Sequence, residues 1–293
     1  MLFKLLLCPL FFCLTLSGFN INYKIEVENF NKNIENMVEE IVGDYKSNIA
    51  IYYCKLDGSK EYYLNNDKRF IAASLTKVPQ AMEVIDKINK GQINLYDVIE
   101  YCEEDYEEGT GILKYNEEID GITVREALEL SLRYSDNIAN NMLNRVCGYD
   151  INEYISRLTG EDITVGNLTT AREQGKIYYK LYSDDKYSLI IDLLKESCCH
   201  DRIDKYLEPE MIAHKFGNYY RYFHDGGIIY EKNPYILVVL TKDIGKLSEN
   251  LNEVEYGDET PLLDGGEEAK ELIAKISKAI NSYNIIKTKN MVK

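Results

Sequence analysis

Phe70-Ile71-Ala72-Ala73-Ser74-Leu75-Thr76-Lys77 is the stretch that decides how the chain folds. Four residues without charge lead into a serine, and a lysine follows three positions later. Apolar residues recur at Val78, Met82, Val84, Ile85 and Ile88, close to helical period. The spacing predicts a helix from Ser74 to about Asn89, ending near Gly91. On the first turn of that helix Ser74 and Lys77 share one face. The lysine is then placed to take the hydroxyl proton, and the free N–H groups of the helix start face an oxygen that becomes negative. These are the needs of an activated serine nucleophile. The pattern alone is weak, because Ser183-Asp184-Asp185-Lys186 repeats it with two acids inside and reads as a solvated loop.

Upstream of this stretch, Ile34, Met37, Val38, Ile41 and Val42 mark an amphipathic helix over 27–43. Residues 48–54 read as a strand, Asp57-Gly58 as a turn, and 61–64 as the returning strand of a hairpin. Downstream, 92–120 is acidic and irregular, with Gly109-Thr110-Gly111-Ile112-Leu113 inside. Thr123 and Glu126 form a capping box for a helix running to about Arg133. Tyr134-Ser135-Asp136-Asn137 precedes a helix over 138–146, and further helices follow at 150–158, 169–182 and 187–198. From Ile212 the character changes. Ile228-Ile229-Tyr230, a turn at Asn233-Pro234, and Tyr235 to Thr241 read as a β-branched hairpin. A last amphipathic helix covers 264–283.

Strands at both ends and helices between them predict an α+β fold. One antiparallel sheet is built from both chain ends and flanked by the terminal helices. An all-helical lobe, about 70–205, is inserted between, with a cleft where sheet meets lobe.

The 293 residues carry a net charge of -15, which excludes nucleic acid and an anionic membrane surface as partners. Residues 1–19 have the form of a secretory signal or an uncleaved N-terminal anchor: Lys4, an apolar run from Leu5 to Leu16, then Ser17 and Gly18. Residues 20–293 are expected to be one domain working outside the cytoplasm, as a monomer. Beyond that segment lie Cys54, Cys102, Cys147, Cys198 and Cys199. An odd number without a repeated spacing is no disulfide framework, so buried free thiols are expected. The histidines are His200, His214 and His224. Cys198-Cys199-His200-Asp201 offers ligand types without zinc spacing, so neither a metal nor a cofactor is expected.

Three motifs occur in order: Ser74-Leu75-Thr76-Lys77, Ser135-Asp136-Asn137 and Lys215-Phe216-Gly217. Together they resemble the motif set of the penicillin-recognising serine hydrolases, and among them the class A β-lactamases. Val78-Pro79, Gly109 to Leu113 and Ile138 to Leu143 extend the resemblance, which covers roughly 45–282. It implies that Ser74 is the acylated nucleophile and that Lys77 is its proton acceptor, or one of them. Ser135 would relay a proton to the leaving nitrogen, and Asn137 would hold the substrate's amide side chain. Lys215 would supply positive charge to Ser135 and to a substrate carboxylate. Gly217 and Asn218 would line the substrate site, with the N–H groups of Ser74 and Asn218 as the oxyanion hole.

Two departures from the family pattern stand out. Phe216 replaces a hydroxyl residue that would bind the substrate carboxylate, and His224 or Arg221 is expected to compensate. The loop with the deacylating glutamate is missing. Only Glu161 and Asp162 supply acids between the flanking helices, and a solvated turn is the more common role for such residues. The implied function is β-lactam ring hydrolysis with poor deacylation, unless Lys77 serves both half-reactions. A D-Ala-D-Ala carboxypeptidase and a non-catalytic penicillin- or peptidoglycan-binding sensor are the alternatives. The implied partner is a β-lactam or a peptidoglycan peptide.

Overall fold

Pairing between the two ends of the chain builds the main sheet. The computed structural model describes residues 30–290 apart from 31, 117, 149–150, 163–165 and 250–265. The segment read as a signal or anchor lies outside them. Strand β1 (Ile49–Lys55) returns in β2 (Glu61–Leu64) and pairs on its other side with β9 (Tyr235–Lys242), Ile51 opposite Val239. With β7 (Ile212–Tyr219) and β8 (Tyr222–Ile229) the antiparallel order is β2-β1-β9-β8-β7. This is the sheet that the distribution of strands predicts.

Side chains alternate across the sheet, so each central strand feeds two cores. Ile49, Ile51 and Tyr53 of β1 join Leu237 and Val239 of β9 on one face. There they meet Ile34, Val38 and Val42 of α1 (residues 32–42) and Ile273, Ile276 and Ile280 of α9 (Glu267–Asn290). Ala50, Tyr52, Cys54, Val238 and Leu240 face the helical lobe. Both faces are covered, which is why β1 is buried along its whole length. Each aliphatic side chain so buried contributes about 1.5–3 kcal/mol.

The lobe comprises α2 (Lys77–Asn89), α3 (Val124–Arg133), α4 (Asn137–Cys147), α5 (Ile151–Thr159), α6 (Ala171–Ser183) and α7 (Ser188–Lys195). Val78, Ala81, Met82, Val84 and Ile85 of α2 are buried at its centre. Helix α6 meets the sheet so closely that a Cβ on Gly175 would lie 2.4 Å from the Tyr52 ring. The capping box at α3 forms: Thr123 Oγ1 accepts from Glu126 N–H at 3.2 Å and Glu126 accepts from Thr123 N–H at 2.8 Å. None of the described helices is long and apolar enough to cross a membrane.

The structure differs from the sequence expectation in four places. Ala73–Thr76 is a 3₁₀ turn, and the α-helix starts only at Lys77. The lobe expected to be all-helical also holds two short strand pairs, β3 (Phe70–Ile71) with β6 (Leu168–Thr169) and, inside the irregular stretch, β4 (Val98–Glu100) with β5 (Gly121–Thr123). All of β7 and the first half of β8 are strands that apolar alternation does not reveal, because His214, Lys215, Asn218, His224 and Asp225 interrupt it. Finally, only Cys54 and Cys147 of the five free thiols are buried; Cys198 is exposed, and Cys102 and Cys199 are half-buried.

Candidate active site

The Ser74-Leu75-Thr76-Lys77 motif sits on a strained, tightly backed turn. Ala73 has φ +50°, a left-handed conformation that a residue with a side chain adopts at a cost of about 1–3 kcal/mol. Half-buried Ser74 follows in the 3₁₀ turn that leads into α2. Behind it runs β7. A Cβ on Gly217 would lie 3.1 Å from Ala72 O and 3.3 Å from Ser74 N, so glycine lets the strand approach this closely. Strand β7 is a sheet edge, and Tyr219 pairs with Tyr222 across a two-residue turn. Residues alternate between bonded and unbonded pairs along such a ladder, and Tyr230 N–H donates to Met211 O at the far end. Asn218, opposite Phe223, therefore occupies an unbonded position, and its N–H points out from the edge.

The second motif is the connection between α3 and α4. Ser135 also has a left-handed backbone, φ +55°. Asp136 caps α4 by accepting from Ala139 N–H at 2.9 Å. Its other oxygen accepts from Ile112 N–H at 2.6 Å and Leu113 N–H at 2.8 Å. A Cβ on Gly111, whose φ is +129°, would meet that oxygen at 2.4 Å. Asp136 thus ties the Gly109–Leu113 segment to the motif. Asn137 N–H donates to Thr110 O at 3.0 Å.

Lys77 joins the first motif to the second. Its Nζ donates to Ser135 O at 2.5 Å, Asn137 Oδ1 at 2.7 Å and Ser135 Oγ at 3.3 Å. All three are neutral acceptors. Burial drives the amine's pKa down to about 7, and the carboxylates of Glu107 and Asp136 oppose the shift only through space. The Asn137 amide is fully engaged: Nδ2 donates to Glu107 Oε1 at 3.1 Å and Glu108 O at 3.0 Å. Glu107 also accepts from Asn141 Nδ2 at 2.8 Å.

Lys215 is buried, and burial together with the Lys77 charge pushes its pKa well down. Its Nζ donates to Phe216 O at 3.1 Å and lies 3.9 Å from the Phe216 ring centre. That ring is itself buried, with the Arg202 guanidinium 5.3 Å away. Arg202 is among the largest fully buried side chains and donates to His224 O at 2.9 Å. Phe216 is therefore packed against the Lys215 amine and the Arg202 guanidinium instead of opening an apolar surface onto the cleft.

Four sequence-predicted residues are placed elsewhere. His224 was expected beside the substrate, but it is fully buried. Its Nε2 is 2.8 Å from Ile71 O, and its Nδ1 accepts from Thr241 N–H at 3.1 Å. Burial lowers its pKa to about 4, so it is a neutral strut beneath the turn that carries Ser74. Arg221 pairs with Asp243 at 2.5 Å. Glu161 pairs with Lys176, and Asp162 is exposed. In the second Ser-x-x-Lys copy the two side chains are engaged separately: Ser183 donates to Tyr179 O at 2.6 Å, and Lys186 pairs with Asp86 at 3.0 Å.

Lys77, Ser135 and Asn137 are thus in direct contact, Gly217 backs onto Ser74, and Lys215 lies close enough to be felt by Lys77. Sequence reasoning missed Glu107 and Arg202. Glu107 is hidden in the acidic run Glu103 to Glu108, and nothing local marks Arg202 as buried. Asp136 was visible only as part of the motif.

The model of the beta-lactamase enzyme family matches residues 31–284. The chain belongs to that family. A β-lactamase of Amycolatopsis lactamdurans is 26% identical over 115 residues, which are 39% of this chain and 37% of that protein. The match thus spans little over a third of the relative's length. The family fold recurs in the solved β-lactamase of Sphaerobacter thermophilus, with TM-score 0.71, 20% identity, and 86% and 97% of the two chains covered. It recurs too in a mutant of PBP-A solved as an acyl-enzyme complex with penicillin G, with TM-score 0.69, 19% identity, and 87% and 97% covered.

Proposed function

We propose that this member of the beta-lactamase family is a serine hydrolase that opens the β-lactam amide through an acyl-enzyme on Ser74. The observation that carries the proposal is Lys77. A buried amine with a pKa near 7, hydrogen-bonded only to neutral acceptors of the second motif, is substantially unprotonated at neutral pH. As a neutral amine it donates its two hydrogens to Ser135 O and Asn137 Oδ1, gives up the longer 3.3 Å contact to Ser135 Oγ, and keeps a lone pair for the Ser74 proton. Ser74 Oγ then bonds to the carbonyl carbon. The oxygen that becomes negative faces the N–H groups of Ser74 and Asn218, and such donors contribute about 2.7–4 kcal/mol each to the transition state. The carbon–nitrogen bond breaks as Ser135 Oγ passes a proton to the leaving nitrogen and is resupplied from Lys77. Lys215 attracts the substrate carboxylate, whose arrival favours the charged form of its amine.

Deacylation is the slow half. Glu161 is engaged with Lys176, and Glu107 with the amides of Asn137 and Asn141. Water attack on the ester gains little without a placed carboxylate. The same observation favours a second reading, a penicillin-binding peptidase or sensor of wall peptides that stays acylated. Either activity would be exercised outside the cytoplasm, with residues 1–19 as signal or anchor.

Labelling with a fluorescent penicillin tests the proposal. Wild type and Ser183→Ala should be labelled, and Ser74→Ala should not. Label retained by Ser74→Ala would overturn it. Decay of the label with release of opened drug marks a hydrolase; label that outlasts the assay marks the second reading.

A further inference from the structure

On the far face of β7 from Lys215, three ligand-bearing side chains converge. We infer that His200 Nδ1, Asp204 Oδ2 and His214 Nε2 form a binding site for a divalent transition metal of the zinc and cobalt type. The three atoms all lie within 4.8 Å of one another, and they are the one such group among the described residues. Two imidazole nitrogens and a carboxylate oxygen suit these metals and do not suit calcium or magnesium.

The geometry is close to that of a bound state. Tetrahedral zinc with bonds of about 2.0–2.1 Å holds its ligand atoms about 3.3 Å apart. His214 Nε2 and Asp204 Oδ2 are 3.4 Å apart, a spacing that needs no adjustment. His200 Nδ1 is 2.5 Å from the same oxygen and must withdraw by just under 1 Å. It can do so because its side chain is 49% exposed, whereas those of Asp204 and His214 are 1% and 2% exposed. The two buried ligands come from opposite sides of the gap, one from the 198–208 connection and one from β7. The half-exposed third closes the site from solvent and leaves a fourth position for water.

Two further observations point to a ligand. Asp204 Oδ1 is buried without a hydrogen-bond partner, and His214 Nε2 has only its 3.4 Å ion-pair contact with Asp204 Oδ2 and no well-formed hydrogen bond, as atoms around an ion site would be. The other nitrogen of His214 is held as metal-binding imidazoles usually are: Nδ1 is 3.0 Å from both oxygens of Asp225, and Asp225 accepts from Ile203 N–H at 3.1 Å. The carboxylate fixes Nδ1 as the protonated nitrogen and leaves Nε2 to the metal, whose entry releases the remaining Nε2 proton to solvent. Ligands at 200, 204 and 214 escape a search for zinc spacing because the third is on a strand ten residues on. Side-chain alternation separates the metal from the Ser74 cleft, so its role is to pin the connection that carries Arg202 onto β7.

The test uses the whole folded chain, freed of metal by a chelator and dialysed. Zn²⁺ should bind with one equivalent by calorimetry and raise Tm. Co²⁺ should give the visible bands of a four-coordinate site without sulfur-to-metal charge transfer. His200→Ala removes a half-exposed ligand and should fold. It should weaken binding beyond the 10–100-fold that loss of an outer partner costs, and its Tm should no longer respond to Zn²⁺. Its penicillin labelling should be unchanged. The double variant Cys198→Ser, Cys199→Ser should bind like wild type. Wild type without stoichiometric binding, His200→Ala binding with undiminished affinity, or binding lost with the two thiols would each overturn the assignment.

Discussion

Lys77 and His214 are both fully buried basic groups, and their surroundings drive them to opposite protonation states. Around Lys77 the hydrogen-bond partners are two neutral oxygens of Ser135 and one of Asn137, and burial takes its pKa down to about 7. Around His214 burial acts in the same direction, but Asp225 and Asp204 overcome it and raise the pKa to about 10. Burial alone does not decide whether a cation keeps its proton; the charge of the groups that share the burial does. One face of β7 thereby borders an amine whose hold on its proton is weakened, and the other carries an ion pair that keeps one. In the proposed mechanism the first arrangement serves chemistry; the second joins the 198–208 connection to β7.

Substitutions that exchange these roles sharpen the contrast. Lys77→Met should slow acylation by about 10²–10⁴-fold. It should leave Tm within a few degrees of wild type or above it, because a desolvated amine is replaced by an apolar chain of similar length. Stopped-flow labelling and calorimetry measure the two effects. His214→Leu should do the reverse. It leaves Asp204 and Asp225 buried without their cation, a loss of about 3–5 kcal/mol read by denaturant unfolding in the presence of chelator. Equal stability losses in the two variants would break the comparison.

Smaller effects follow from the shell around the cleft. Gly217→Ala places a methyl group against Ala72 O and Ser74 N, so about 1–3 kcal/mol of stability should go, and acylation should slow as the nucleophile turn shifts. Glu107→Gln should have the mildest effect. The Glu107 carboxylate raises the Lys77 pKa, so removing its charge should lower that pKa and shift the acid limb of the acylation profile to lower pH. Labelling at pH 6 would then be faster than in wild type. A shift to higher pH would mean that Glu107 acts on Lys77 in some other way.

The fold was legible where packing follows a period. The α2 face from Val78 to Ile88 and the run from Tyr235 to Thr241 bury the residues that their spacing picks out. It was illegible in β7, whose buried positions include His214 and Lys215; only a partner strand and a cluster on each face make such residues tolerable in a sheet. At the site, the order of the motifs picked out Lys77, Ser135 and Asn137, which lie in hydrogen-bond contact, whereas the helix expected from Ser74 starts only at Lys77. His224 misled because its partners, Ile71 O and Thr241 N–H, belong to distant segments, so its role in fastening β8 to the nucleophile turn has no local signature. Phe216 looked like a lost hydroxyl until Arg202 appeared behind its ring.

The most direct test of a neutral Lys77 acting on Ser74 is the rate of acylation by a penicillin, followed by rapid quenching and intact-protein mass from pH 5 to 9. In the proposed mechanism the unprotonated amine is the active form. The rate should therefore rise about tenfold per unit below pH 7 and level off above it, with the added mass on the peptide that contains Ser74. A rate flat over this range, one that falls as pH rises, or an adduct on another residue would contradict the account.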